Sequence, residues 1–140
     1  MKKLLPLLFI SLLTLLSCEE ENIVVNDTIR NFIEQKYQGA RILTAEKEFN
    51  GDIDVDIIHD NIQKDVKFNS SNKWISTTWD IPISQLPDAA KESILNKYPD
   101  YRIEDVDYIE QPDGDHYKVE MEKGEWEKTV FVKANGEILN

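Results

Sequence analysis

The sequence predicts an α+β fold made of two similar units, each one helix followed by four antiparallel strands, and three observations predict it. Two short stretches carry apolar residues at helical spacing: Ile29, Phe32, Ile33 and Tyr37, then Ala90, Ile94, Leu95 and Tyr98. Other runs, such as Asp52-Ile53-Asp54-Val55-Asp56-Ile57 and Tyr117-Lys118-Val119-Glu120-Met121, alternate polar and apolar residues with the period of a half-buried strand. Finally, blocks recur in order at a separation of roughly sixty residues, as internal repeats do. Lys36-Tyr37-Gln38-Gly39-Ala40-Arg41-Ile42 aligns with Lys97-Tyr98-Pro99-Asp100-Tyr101-Arg102-Ile103, and Val66-Lys67-Phe68 with Val130-Phe131-Val132.

The chain begins with a segment of a different kind. Met1-Lys2-Lys3 is positive, Leu4 to Ser17 is almost wholly apolar, and Leu15-Leu16-Ser17-Cys18 places a small residue before the lone cysteine. The run is broken by Pro6 and stops at Cys18-Glu19-Glu20-Glu21, short of the roughly 20 residues a spanning helix needs. The pattern resembles the lipobox of bacterial lipoproteins, which implies cleavage after residue 17, a diacylglyceryl group on the Cys18 sulfur and an acidic tether over 18–25. Acyl chains contribute about 0.8 kcal/mol per buried methylene, so two or three anchor a protein stably. The expected location is the cell envelope, as an outer-membrane lipoprotein facing the periplasm or the cell surface.

The first unit, 26–79, opens with a helix that Asn26 or Asp27 caps and Gly39 ends. Strands follow near 40–49, 53–59, 63–69 and 73–79, with Asn50-Gly51-Asp52 and Asn69-Ser70-Ser71-Asn72 as turns. Residues 80–86 form the expected linker. The second unit, 87–140, starts its helix at Pro87, tolerated in a first turn, and stops it at Pro99. Its strands are expected near 101–110, 115–122, 125–133 and 137–139, with Gln111-Pro112-Asp113-Gly114, Glu122-Lys123-Gly124 and Asn135-Gly136 as turns. Both helices are short and one-sided, so each needs a sheet to cover.

Leu86-Pro87, Lys97-Tyr98-Pro99, Tyr117-Lys118-Val119-Glu120 and the closing Val130-Phe131-Val132-Lys133-Ala134-Asn135-Gly136-Glu137-Ile138 resemble the PepSY-like, beta-lactamase-inhibitor-like (BLIP-like) family of bacterial envelope proteins. The second unit carries the pattern well, and the first is a weaker copy with Gly39 in place of the proline. The resemblance implies two tandem units joined into one curved antiparallel sheet with both helices on one face. It also implies inhibition of a peptidase or other hydrolase, and it supplies no catalytic residue.

Charge narrows the partners. Loss of the first seventeen residues takes Lys2 and Lys3 away and leaves fourteen basic against twenty-seven acidic residues, a net −13. Such a surface repels nucleic acid and anionic lipid, so the membrane is met through the lipid anchor only. With Cys18 the sole cysteine there is no intrachain disulfide.

Asp52, Asp54 and Asp56 resemble the start of a calcium loop, but the positions that need the turn glycine and the bidentate glutamate are Ile57 and Gln63. Strand alternation explains the three carboxylates as a solvated face. No metal ligand set and no cofactor is therefore expected. His59 and His116, at a strand end and a strand start, lie in no zinc pattern. No serine sits in a Gly-x-Ser-x-Gly turn and no glycine-rich phosphate loop is present, so no enzyme is expected.

The aromatic residues give the better lead. Trp126, Val130 and Val132 share parity and are expected in the core, which turns Phe131 to the other face. Trp74 and Trp79 have opposite parity, so one regular strand cannot bury both. Trp79 and Phe131 are thus the expected protein-binding residues of an open sheet face, in a lipid-anchored binding module whose partner is an envelope or extracellular protein or peptide. The alternative is a periplasmic calcium- or small-ligand-binding protein.

Overall fold

A computed structural model describes residues 24–139. The predicted signal peptide at 1–17, the lipidated Cys18 and the tether up to residue 23 lie outside the described residues. Ten elements of regular structure and one 3-10 turn follow in the order α1 (Asp27–Lys36), β1 (Arg41–Lys47), β2 (Ile53–His59), β3 (Ile62–Phe68), β4 (Trp74–Asp80), the turn Ile83–Gln85, α2 (Asp88–Lys97), β5 (Arg102–Glu110), β6 (His116–Lys123), β7 (Trp126–Val132) and β8 (Ile138–Leu139). The fold is α+β, with every predicted element within a few residues of its expected place. No helix among the described residues is long and apolar enough to cross a membrane.

The eight strands form one antiparallel sheet in sequence order, β1 to β8, with two free edges. Each neighbour pair is a hairpin except β4 and β5, which pair across the intervening helix through Thr77–Glu110, Thr78–Ile109, Trp79–Tyr108 and Asp80–Asp107. That seam makes the sheet continuous from end to end.

The helices are built as the sequence suggests. The Asn26 side chain accepts the Ile29 amide at 3.1 Å, and Asp27 and Lys36 complement the dipole at the two ends of α1. Tyr37 and Tyr98 end the two helices in the same way, each donating its backbone N–H to the carbonyl four residues back. Gly136, at φ +88°, turns the chain into β8 where a Cβ would lie 2.7 Å from the Ala89 carbonyl oxygen, so only glycine fits there.

Buried side chains fall into two clusters. Ile29 and Ile33 of α1 pack with Val55, Ile57, Val66 and Phe68; Ala90 and Ile94 of α2 pack with Val106, Val119, Met121, Val130 and Val132. The expected linker 80–86 is not free: Asp80 closes β4, Ile81 donates its N–H to Val106, and Ile81 and Leu86 are buried in the second cluster.

Candidate functional site

Alternation along the strands assigns a face to each side chain. Val55, Val66, Thr77, Trp79, Tyr108, Val106, Val119 and Val130 follow one another through the ladder pairs on the buried face. The opposite face carries Asp54, Asp56, Asp65, Asp80, Asp105, Asp107 and Glu120, against the cations Lys67 and Lys118. Phe131 projects from this acidic face and keeps 39% of its surface exposed. It stands opposite Lys118 and Leu139, with the His116 ring edge-on at 5.9 Å. Lys118 bridges Asp107 at 3.3 Å and Glu120 at 2.6 Å, so the aromatic sits at the border of a charge network.

Phe131 thus occupies the predicted position; Trp79 does not. Between β3 and β4 the register shifts, Lys67 pairing with Ser76 and Phe68 with Trp74, which leaves Ile75 as an extra residue. This bulge resets the parity. Trp74 and Trp79 therefore both lie on the buried face, Trp74 against Phe32 at 5.5 Å and Trp79 against Tyr108 at 4.7 Å. Trp79 is half-buried and lines a shallow groove with Ile81, Gln85, Tyr108 and Tyr117. A second correction concerns Trp126, expected in the core: it shares the parity of Val130 but lies past the end of the packed region, 73% exposed.

A polar network links the end of α1 to β4 and β5. Tyr37 Oη lies 2.6 Å from Thr77 Oγ1 and 2.7 Å from Glu110 Oε2, and Trp74 Nε1 donates to Thr77 Oγ1 at 3.0 Å. The phenol has one proton, which it donates in a hydrogen bond to the Glu110 carboxylate, so the Thr77 hydroxyl donates to the Tyr37 oxygen. Burial, offset by Thr77 and reinforced by Glu110, holds the Tyr37 phenol above its ordinary range. Lys64 is buried, and its ammonium rests 3.7 Å from the Trp79 ring centre and 5.3 Å from that of Tyr37. Desolvation lowers its pKa, against the pull of Glu110 and Asp60.

Two groups of carboxylates crowd the acidic face. Asp54 and Asp56 share it as alternation requires, with Asp54 held by Lys67 at 3.3 Å and Asp56 by the Thr44 hydroxyl at 2.8 Å, while Asp52 sits in the preceding turn. Asp65, between them on β3, has its carboxyl pushed up to about 6, by loss of water first and then by Asp54 and Asp56. The second group is Asp80, Asp105 and Asp107, whose oxygens lie within 4.8 Å of one another. Burial, then the charge of Asp80, raises the Asp105 carboxyl above the ordinary carboxylate range. These three carboxylates come from β4 and β5, strands that only the β4–β5 seam brings together.

The histidines stay apart. His59 ends β2 with its ring 5.6 Å from Tyr37 and Nδ1 3.5 Å from Asp60, and His116 opens β6 beside Phe131. Among the described residues they form no catalytic pair.

Residues 51–140 match the model of the beta-lactamase-inhibitor-like, PepSY-like family. The chain belongs to that family. No curated protein matches it. Among solved structures it is similar to a BLIP-like protein from Bacteroides fragilis, with a TM-score of 0.73, 21% identity, and 86% of each chain covered. It is also similar to a Bacteroides eggerthii protein described as periplasmic, with a TM-score of 0.70, 15% identity, 84% of this chain and 87% of the other covered.

Proposed function

We propose that this chain is a lipid-anchored binding module of the cell envelope that holds a protein or peptide on its acidic sheet face, with inhibition of a peptidase or other hydrolase as its role and no catalytic step of its own. One observation carries the reading: Phe131 is a large apolar side chain left exposed on a face otherwise ruled by carboxylates. An aromatic anchor ringed by charge is the usual anatomy of a contact centre, and the acidic surround speeds encounter with a basic partner. The family is inhibitor-like in name, and the B. eggerthii protein is described as periplasmic, which supports an envelope location. The reading takes the chain as two tandem units, 26–79 and 87–140, with both helices backing one face of a curved sheet. The shared parity of the two buried clusters supports it. Cys18 is the anchor, and incorporation of labelled palmitate is expected to vanish in Cys18→Ala.

Capture of partners from envelope extract tests the contact. Phe131→Ala is expected to lose proteins that the unaltered chain recovers. Trp79→Ala, on the buried face, is expected to keep them. Recovery of the same proteins by Phe131→Ala would remove the acidic face from consideration, and loss with Trp79→Ala alone would move the contact to the aromatic groove.

The convergence of Asp80, Asp105 and Asp107 favours a second reading, a calcium- or small-cation-binding envelope protein, since hard cations take several carboxylate oxygens. Calorimetric titration with calcium separates the two: saturable heat that disappears in Asp105→Asn supports the second reading, and a flat titration rejects it.

A further inference from the structure

Trp79, Tyr108 and Tyr117 stand directly opposite one another on β4, β5 and β6, in a single row across the sheet. The row runs on past Tyr117 to Val132, buried with Ala90 and Ile94 of α2. Beyond Trp79 it reaches Lys64 and then Ile57, buried with Ile29 and Ile33 of α1. Each helix thus covers one end. Between them the three rings pack against the second cluster but stay half-buried, and with Ile81 and Gln85 they line a groove of about 230 Å³. Trp79 meets Tyr108 at 4.7 Å and Tyr108 meets Tyr117 at 5.2 Å, with planes inclined by 58° and 62°. All five lining residues fall between 79 and 117, well inside the described part of the chain.

Other rings of this chain show what such a surface attracts. Lys64 Nζ stands 3.7 Å from the ring centre of Trp79, Lys36 Nζ 4.4 Å from that of Trp74, and Lys128 Nζ 4.9 Å from that of Tyr98. The negative face of an aromatic ring draws a cation. Tyr108 and Tyr117 have no such cation among the described residues, and Lys64 does not line the groove. Their surroundings favour one. Tyr108 donates its hydroxyl to the Asp115 carboxylate, which also accepts the Gln111 amide, and no lysine or arginine bridges Asp115 among the described residues. Desolvation first, then Asp115, holds both phenols above their ordinary range, so the rings remain neutral beside that charge.

The lining decides which kind of cation fits. A metal ion or a primary ammonium gives up its water only for several close oxygen acceptors. The groove offers two phenols and the Gln85 amide beside the apolar Ile81. A cation whose charge is spread over methyl groups needs no hydrogen bonds and gains from aromatic contact. We infer that the groove between the two helices binds a quaternary ammonium group, with its methyl groups against Trp79, Tyr108 and Tyr117 and with Asp115 as the counter-charge. The site lies on the opposite face of the sheet from Phe131 and does not rest on the reading of that residue. A free solute and the headgroup of a choline lipid present the same group.

Calorimetric titration of the full-length chain with choline is the test, set beside the uncharged carbon isostere 3,3-dimethylbutan-1-ol. Saturable binding of choline is expected, with the isostere about tenfold to thirtyfold weaker, as befits a partly desolvated cation–π contact. Magnetisation transfer from the choline methyl protons should reach the rings of Trp79, Tyr108 and Tyr117. Tyr117→Leu should weaken choline about tenfold while Tyr117→Phe stays within about threefold, because the ring rather than the hydroxyl holds the cation. Asp115 is exposed, so Asp115→Asn keeps the test alive even if the leucine variant fails to fold; it should weaken binding about threefold at low salt and less at high salt. Glycerophosphocholine separates the sources: binding as tight as that of choline assigns a lipid headgroup, and binding of choline alone assigns a free solute. Absence of saturable choline binding, equal affinity for the isostere, undiminished binding in Tyr117→Leu or Asp115→Asn, or methyl contacts outside the groove would each overturn the inference.

Discussion

The two halves of the sheet use the same parts and finish them differently. Tyr37 and Tyr98 end their helices with the same backbone bond, and each ring meets one lysine from its helix and one from the third strand of its half. Around Tyr37 the fourth strand adds Thr77, Trp79 and, through the seam, Glu110. Around Tyr98 the corresponding strand stops after two residues. The helix end of the first half is thereby tied to β4 and β5 through side chains, so the fourth strand, rather than the helix end, distinguishes the two halves.

The largest effect that separates the halves should come from the cores. Phe68→Ala is expected to cost ~3–5 kcal/mol in urea unfolding, because a fully buried ring leaves a large cavity. Val132→Ala, at the corresponding place, should cost less because it removes fewer atoms; equal losses would contradict the difference in packing. Next come the two tyrosines. Tyr37→Phe strands Glu110 and Thr77 and should cost about 1–3 kcal/mol, whereas Tyr98→Phe should stay within about 0.5 kcal/mol. A thermal midpoint that fell as far for Tyr98→Phe would show that the Tyr37 hydroxyl bonds do not set the two helix ends apart.

A smaller, pH-dependent effect is expected at Asp65. Its folded-state carboxyl titrates at about 6 against an ordinary 3.8, so its contribution to stability is fully present below 3.8 and is lost as pH rises through about 6. Asp65→Asn, which cannot ionise, should melt higher than the unaltered protein at neutral pH, and the gap should close on acidification. A gap that widened in acid would reverse the sign and refute the crowding of Asp65 by Asp54 and Asp56. The smallest effect is expected at Trp126: because the ring is 73% exposed, Trp126→Ala should change stability by no more than about 0.5 kcal/mol.

Much of this could be read along the chain. Helical spacing and period-two alternation are local, so both helices and all eight strands stood in the sequence, and the parity of Val130 and Val132 correctly turned Phe131 outward. Trp79 could not be read this way. A single extra residue, Ile75, returns Trp74 and Trp79 to one face, and nothing in Trp-Ile-Ser-Thr-Thr-Trp announces a bulge. Trp126 misled for a related reason: parity assigns a face, but burial also requires a neighbour to cover that face. Asp105 and Asp107 are two apart and visibly share a side, yet Asp80 joins them only through a pairing that spans the whole of α2.

The sequence by itself determined the class of fold, the order of the elements, the acidic charge, and the family to which the chain belongs. Each of these rests on composition or on repeats of a few residues, which backbone geometry converts directly into helix, strand and turn. Tertiary structure alone decided which aromatic residues face solvent and which carboxylates converge. Those depend on register between strands distant in sequence, where a shift of one residue moves a side chain from one face of the sheet to the other.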